Sequence, residues 1–418
     1  MTRARIFSPL MAGLLLAGCA SQADTAPAPP RAGTIGAPQA AQQAAASQDF
    51  AAWRNDFRRR ALAEGIQPAV FDAAFKDIDL NHQVIKLDGG QAEFTRQLWD
   101  YLDSAVSSTR ISTGQARLRE LGPVLDRIEQ RYGVDANVLL AIWGMETNYG
   151  SYRGNTSTIE GLATLAFEGR RRQFAENQLL AALRILQSGD ISVAGMRGSW
   201  AGAMGHTQFM PTSYLEYAQD FNGDGKRDIW GEDPTDALAS SAYYLSRFGW
   251  QQDAPWGVEV RLPQGFDYAQ ADQKHRRPVA EWRRLGVTQA NGQPLPEAGD
   301  AAILVPAGAQ GPAFAVFNNF YVIKRYNNAT AYAMGVGHLA DKIAGGSDFS
   351  QSWPRHERAL SRTEKRELQQ LLTRQGFDTQ GADGVIGPNT MTAIRAWQQE
   401  QGLVADGYAS ASLLERLR

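Results

Sequence analysis

Ala141-Ile142-Trp143-Gly144-Met145-Glu146-Thr147-Asn148-Tyr149-Gly150, preceded by Val138-Leu139-Leu140, decides how this chain is read. The run from Val138 to Trp143 is apolar on every face, the pattern of a helix buried within an all-helical core. Glu146 stands at its inner end and is the only acidic residue between Ala136 and Ile159. Desolvation disfavours a carboxylate, so this side chain is expected to keep its proton near neutral pH and to donate it to a leaving oxygen. A second reading stays open, in which the glutamate only bonds a neighbouring backbone group.

Outward from this helix, 418 residues are enough for a large core and more than one folding unit. With 42 basic and 44 acidic residues the formal charge is only -2, so no global field points to nucleic acid or to an acidic polymer. The N-terminus carries Arg3 and Arg5, an apolar stretch from Leu10 to Ala17, and then Leu16-Ala17-Gly18-Cys19. That stretch is too short for an ordinary spanning helix and has the flanks of an export signal. Cys19 is the only cysteine, which leaves it no disulfide or metal partner within the chain. Leu-Ala-Gly-Cys resembles the processing site of bacterial lipoproteins, which implies a lipid anchor on Cys19 and a periplasmic location. Ala20 in the following position suggests the outer membrane. An ordinary signal peptide with an incidental cysteine is the alternative.

Residues 1–19 are thus the signal, and 20–48, almost wholly Ala, Pro, Gln, Ser, Thr and Gly, read as a flexible tether. The main domain spans 49–345. Its periodicity predicts helices over Phe50–Glu64, Pro68–Phe75, Glu93–Ser107, Gly114–Tyr132, Arg172–Gln187, Asp236–Phe248 and Ala329–Ile343. Between Trp256 and Val305, short β-rich pieces separated by Pro and Gly suggest a small extended insertion. Residues 346–362 read as a linker. The unit 363–418 is expected to hold two helices and a short closing one, with Ala382-Asp383-Gly384 and Ala405-Asp406-Gly407 as paired turns that hint at a duplication. The fold class is mainly α, with a small three-helix binding module at the C-terminus.

Three further stretches bear chemistry. Ser199-Trp200-Ala201-Gly202-Ala203-Met204-Gly205-His206-Thr207-Gln208 has no bulk through its middle, with Ser199 and Gln208 as polar ends. It suits either a sugar cleft or a tight helix contact. Asp220-Phe221-Asn222-Gly223-Asp224-Gly225-Lys226 places oxygens at alternating positions with glycine sixth, the spacing of an EF-hand calcium loop. Asp220, Asn222, Asp224 and the Lys226 carbonyl are the candidate ligands of a structural Ca²⁺. The twelfth position is Gly231 where a glutamate is usual, so Asp236 is the candidate to close the site, with Asp228 or a water competing and a metal-free turn as the alternative. Arg170, Arg171 and Arg172 form the densest basic run, read either as a solvated helix start or as a fork for carboxylate-bearing ligands. No organic cofactor is expected.

Taken together, Gly-Met-Glu-Thr-Asn-Tyr-Gly around Glu146, Ala-Gly-Ala-Met-Gly-His-Thr-Gln-Phe-Met-Pro, the Asp220 loop and Asn319-Phe320-Tyr321-Val322-Ile323-Lys324-Arg325-Tyr326-Asn327 resemble the membrane-bound lytic murein transglycosylase B family. The likeness covers about Phe50 to Gly345. It implies a lysozyme-like helical fold, a calcium loop and cleavage of the bond between N-acetylmuramic acid and N-acetylglucosamine in peptidoglycan. Carried over by motif, Glu146 is the acid and base, and Ser199 and Gln208 line the sugar cleft. Arg171 and Arg172 face the glycan or its peptide, and Tyr326 and Asn327 bound the cleft opposite. Tyr101, Tyr244 and Tyr332 are further cleft residues. The terminal unit resembles the type 1 peptidoglycan-binding domain through Asp383-Gly384-Val385-Ile386-Gly387-Pro388 and the helix that follows. Glycan strands and their stem peptides are then the expected partners, with cell-wall synthesis or hydrolysis proteins as further ones.

An ordinary glycosidase uses two carboxylates; the family implies one, which forms a 1,6-anhydro sugar without water. The alternatives are a hydrolytic muramidase with Glu160 or Glu168 as the second acid, and a non-catalytic wall-binding scaffold.

Overall fold

The computed structural model describes residues 37–89, 96–168 and 170–418, with side chains from residue 49. Cys19 and the signal segment lie outside the described residues. The chain forms two compact units. One contains residues up to 91 together with 146–244, and the other 92–145 together with 245–418.

In chain order, α1 (Ala37–Ala63), α2 (Pro68–Ala74) and α3 (His82–Gly89) belong to the first unit. The opening turns of α1 lie inside the stretch expected to be a tether, in keeping with the high helix propensity of its Ala and Gln residues. The chain continues through α4 (Leu98–Ala105), α5 (Ser108–Tyr132) and α6 (Ala136–Thr147), and passes between units at Met145–Glu146. A short antiparallel ladder of two-residue strands, β1 (Thr156–Ser157) and β2 (Arg197–Gly198), brackets α7 (Thr158–Glu168) and α8 (Arg172–Ser188). Then come α9 (Pro211–Tyr217) and α10 (Thr235–Arg247). The helix α7 is buried from Thr158 to Ala166 except at Glu160, and packs mainly on α8.

The second unit carries the insertion, a five-stranded antiparallel sheet. Its strands are β3 (Gly257–Arg261), β4 (Arg277–Pro278), β5 (Thr288–Gln289), β6 (Asp300–Leu304) and β7 (Ala313–Val316), in the order β4-β6-β7-β3-β5. A short helix, α11 (Val279–Arg284), supplies Trp282, whose fully buried indole donates to the Ala301 carbonyl at 2.9 Å. Beyond the sheet, α12 (Asn318–Tyr326) leads to α13 (Thr330–Ile343), which packs on α4 and α5. Buried Asn319 ties α12 back to the chain by donating to the carbonyls of Gln251 and Ala254 and accepting from Gln251 N.

Residues 346–362, expected to be a linker, are pinned to this same unit. Phe349 stacks on His338 with ring centroids 4.0 Å apart, and both Phe349 and Trp353 lie against Phe314 of β7. The Glu259 carboxylate accepts from the amides of Ser350 and Gln351, and Arg355 pairs with Asp103. Glu357, buried, accepts from Ala411 N and Ser412 N at the start of α16 (Ala411–Leu417).

With α14 (Arg362–Arg374) and α15 (Pro388–Glu400), α16 closes the C-terminal module around Leu368, Leu372, Ile394, Trp397 and Leu414. The hinted duplication is visible bond by bond. Gln369 donates to Asp383 Oδ1 and accepts from Gly384 N, while Val385 N donates to Asp383 Oδ1. Gln398 makes the same set with Asp406, Gly407 N and Tyr408 N. No described helix is long and apolar enough to cross a membrane.

Candidate active site

Glu146 is the penultimate residue of α6 and is half-buried, following the fully enclosed run Leu139–Ile142. The helix ends abruptly because Asn148 and Tyr149 take left-handed backbone angles, with φ of 49° and 57°. Such angles disfavour non-glycine residues by about 1 kcal/mol or more each and persist only where the surroundings impose them. What imposes them here is Thr147, whose buried hydroxyl donates to the His206 carbonyl at 2.6 Å and accepts from Gly150 N at 3.0 Å.

The glycine segment therefore sits against the residue next to Glu146. It is a knot of turns rather than a helix, closed by bridges between Gly198 and Met204 and between Met204 and Phe209. Its lack of bulk serves the protein's own backbone: a Cβ on Gly205, at φ +70°, would lie 2.4 Å from the Ile229 carbonyl oxygen. Gly154 meets the same constraint, since a Cβ there would be 2.2 Å from the Gly198 oxygen across the β1–β2 ladder. His206, buried, holds the knot from outside, with Nε2 2.7 Å from the Gly231 carbonyl and 3.0 Å from Arg153. Burial pushes its pKa below the ordinary value, so the ring stays neutral near pH 7.

Ser199 and Gln208 do open on a common space. A cavity of about 120 Å³ is lined by both, by Gly154, Thr156 and Trp200, and by residues of α3. The Ser199 hydroxyl accepts from Ala203 N, and Gln208, itself at φ 54°, donates to the carbonyls of Gly205 and Arg153. Of the five described non-glycine residues with positive φ, three (Asn148, Tyr149 and Gln208) fall here, so backbone strain is concentrated in this region. Glu146 is not itself among the lining residues; Thr147 and the knot connect it to them.

Sequence reasoning missed Asn81, Gln83, Leu87 and Tyr152, which also line this cavity. Tyr152 is 68% exposed, the one signal that pointed to it being an isolated aromatic in a polar turn. The α3 residues carried no signal, because their spacing reads as an ordinary solvated helix. Arg171 and Arg172 do not line the cavity. Arg171 pairs with Asp88 at the end of α3 at 2.8 Å, assisted by Arg170, and Arg172 donates to the last carbonyls of α7. The basic run thus fastens the helix that forms a cavity wall. Tyr244 is 3% exposed and packs edge-on against Tyr217, with Phe209 beside it, so its ring is core. Tyr101, Tyr326, Asn327 and Tyr332 belong to the other unit. There Tyr101 on α4 abuts Gly335 of α13, Tyr332 is buried in α13, and Tyr326 ends α12. Asn327 follows it and accepts from Ala329 N.

The Asp220 loop is wound as its spacing predicts. Asp220 accepts from Gly223 N and Gly225 N, Asn222 from Asp224 N, and Asp224 from Lys226 N. An ionised carboxylate has about four acceptor sites, so these bonds leave outward lone pairs for a hard cation, and the donor set fits calcium. Asp236, the residue expected to close the site, lies behind the loop. It is 1% exposed at the start of α10, and its two oxygens accept from Phe221 N, Asn222 N and Asp228 N, which organises the loop from behind. Asp228 is likewise bonded to Trp230 N and Gly231 N. Among the described residues no group of three or more His, Cys, Asp or Glu side chains is arranged for a metal, so the loop would rely on two carboxylates, one amide and a carbonyl.

Comparison with known proteins agrees with this architecture. The family described as "Transglycosylase SLT domain" matches residues 49–341, and "Putative peptidoglycan binding domain" matches 361–417. The chain belongs to the SLT transglycosylase family. Its fold is the lysozyme-like, mostly helical one of that family, with a small sheet, and the family is one of peptidoglycan-cleaving lyases. Membrane-bound lytic murein transglycosylase B of Escherichia coli K12 is 33% identical over 251 residues, 58% of this chain and 66% of that protein. SltB3 of Pseudomonas aeruginosa, solved in complex with NAG-NAM-pentapeptide, is 52% identical with a TM-score of 0.84, covering 88% of this chain and 99% of that one. The E. coli lytic transglycosylase Slt35, solved in complex with calcium, is 28% identical with a TM-score of 0.61, covering 72% and 92%.

Proposed function

We propose that this protein cleaves the β-1,4 bond between N-acetylmuramic acid and N-acetylglucosamine in peptidoglycan, without water, using Glu146 as its only catalytic carboxyl. The observation that carries the proposal is the position of Glu146 at the strained end of the apolar helix α6, tied through Thr147 to the knot that bears Ser199 and Gln208. In the first step the Glu146 carboxylic acid gives its proton to the glycosidic oxygen. The C1–O bond breaks, and the substrate's own acetamido oxygen bonds to C1. The Glu146 carboxylate then takes the proton from the muramic C6 hydroxyl, whose oxygen attacks C1 and displaces the acetamido oxygen. A 1,6-anhydro end results, and the carboxyl is protonated again.

Of the rival second acids, Glu160 accepts from Asn81, and Glu168 is exposed at the end of α7. Glu146→Gln keeps the shape and removes the proton, so lysis of purified sacculi should fall by about 10² to 10⁴. Mass spectrometry of the wild-type digest should show anhydro ends. Undiminished lysis by the variant, or reducing ends in the digest, overturns the reading.

The same proposal includes a structural Ca²⁺ held by Asp220, Asn222, Asp224 and the Lys226 carbonyl, where the ion would rigidify the loop that reaches the knot through Gly231. Added Ca²⁺ should raise the melting temperature and a chelator should lower it. It also includes lipid attachment at Cys19 and residence at the periplasmic face of the outer membrane, among other cell-wall proteins. Loss of membrane fractionation in Cys19→Ala checks the anchor.

A further inference from the structure

The C-terminal module does not hang free of its own unit, and a cavity of about 440 Å³ opens where the two meet. That volume falls in the range that holds a small ligand. From the sheet side come Val305 and Pro306, and from the α4 side Arg96 and Gln97. The module supplies Leu360, Lys365, Met391 and Tyr408 among others. Two bonds show that the junction is built. Asp406 Oδ2 accepts from Ala309 N at 2.8 Å, and the Tyr408 hydroxyl donates to Gln97 at 3.3 Å. Gly308 has no room for a side chain, since a Cβ there would be 2.4 Å from Asp406 Oδ2.

The charges within the cavity are unbalanced. Arg96 and Lys365 have no ion-pair or hydrogen-bond partner among the described residues, whereas the one carboxylate, Asp406, is spent on Ala309 N, Gln398 and Tyr408 N. Two unspent cations over an apolar floor suit a ligand with carboxylates on a short, partly apolar chain. A bare sugar ring offers no negative charge to them. We propose that this junction is a binding site for a carboxylate-bearing short peptide of the kind that branches from muramic acid, with Arg96 and Lys365 reading its carboxylates. Neither the module nor the sheet holds the complete site alone. The inference rests on the peptidoglycan reading for its ligand but not on Glu146.

Calorimetric titration of the full chain with a synthetic stem tripeptide bearing free carboxylates tests it. Binding should weaken roughly tenfold in Arg96→Gln and in Lys365→Gln, and by a similar factor when the peptide carboxylates are amidated. Melting temperatures of both variants should match wild type, since neither side chain has a bond to lose within the described residues. Glu146→Gln should bind the peptide as wild type does; a variant that binds peptide and still lyses sacculi, or a wild type that binds peptide but lyses nothing, sinks the catalytic reading alone. Peptide affinity unchanged in both cation variants, no binding at millimolar peptide, or inorganic phosphate binding as tightly as the peptide overturns the site.

Discussion

Two stretches without helix or strand periodicity behave alike for different reasons. The knot from Ser199 to Gln208 and the strap from residue 346 to 362 are both held in place. The knot is held at its backbone, where Gly205 lies against the Ile229 carbonyl and the Thr147 hydroxyl bonds the His206 carbonyl. The strap is held by side chains, through Phe349 on His338, Trp353 beside Phe314, and Glu259 on two of its amides. A segment lacking helix or strand periodicity therefore says nothing about mobility until the neighbouring surface is known. Where a backbone approaches a backbone, any added atom is excluded; where aromatic rings do the holding, losses are graded.

Three experiments probe that difference, from the largest effect down. Gly205→Ala adds a Cβ at φ +70° against a carbonyl oxygen, so it should destabilise by about 3 to 4 kcal/mol in denaturant titration. A loss under 1 kcal/mol contradicts the backbone account. The strap should respond to pH through His338, which burial pushes down from 6.5 to about 4, with Asp348 opposing and Lys342 assisting. Between those values the folded protein binds fewer protons than the unfolded chain. His338 therefore contributes stability that is present above pH 6.5 and lost as pH falls through 4, about 3 kcal/mol at most. Melting temperature should fall more steeply from pH 6.5 to 4 in wild type than in His338→Gln; parallel curves contradict it. Glu259→Ala removes a half-exposed acceptor, so about 1 kcal/mol or less is expected. Its mark should be faster amide exchange at Ser350 and Gln351, with exchange in the knot unchanged.

Much of this was legible in the residues. Eleven helices were anticipated, most ends to within a few residues, because apolar spacing and caps are local properties; α1 and α5 begin earlier than their periodicity, α1 in an Ala-rich stretch, and α4 begins later. The sheet strands β3 and β6 were anticipated from β-rich pieces between Pro and Gly. Five helices were missed: α7, and also α3, α9, α11 and α12, the last four each of nine residues or fewer. At the site, Glu146, Ser199 and Gln208 stood out by residue type and spacing. Tyr152 and the α3 residues did not, because lining a cavity depends on what lies across from a side chain.

The sequence alone determined the helical class, the lone carboxyl at the end of an apolar helix, the oxygen spacing of the Asp220 loop and the duplicated Asp-Gly turns, all of which rest on contacts within a few residues. Only the tertiary structure decided that the glycine segment is packed against Ile229, that Arg171 clamps Asp88, that Asp236 organises its loop from behind, and that the two duplicated turns part company. Asp383 is engaged within its own module, whereas Asp406 also reaches Ala309. The turns have the same local bonds, and their difference comes from a partner 97 residues away, a distance no local pattern encodes.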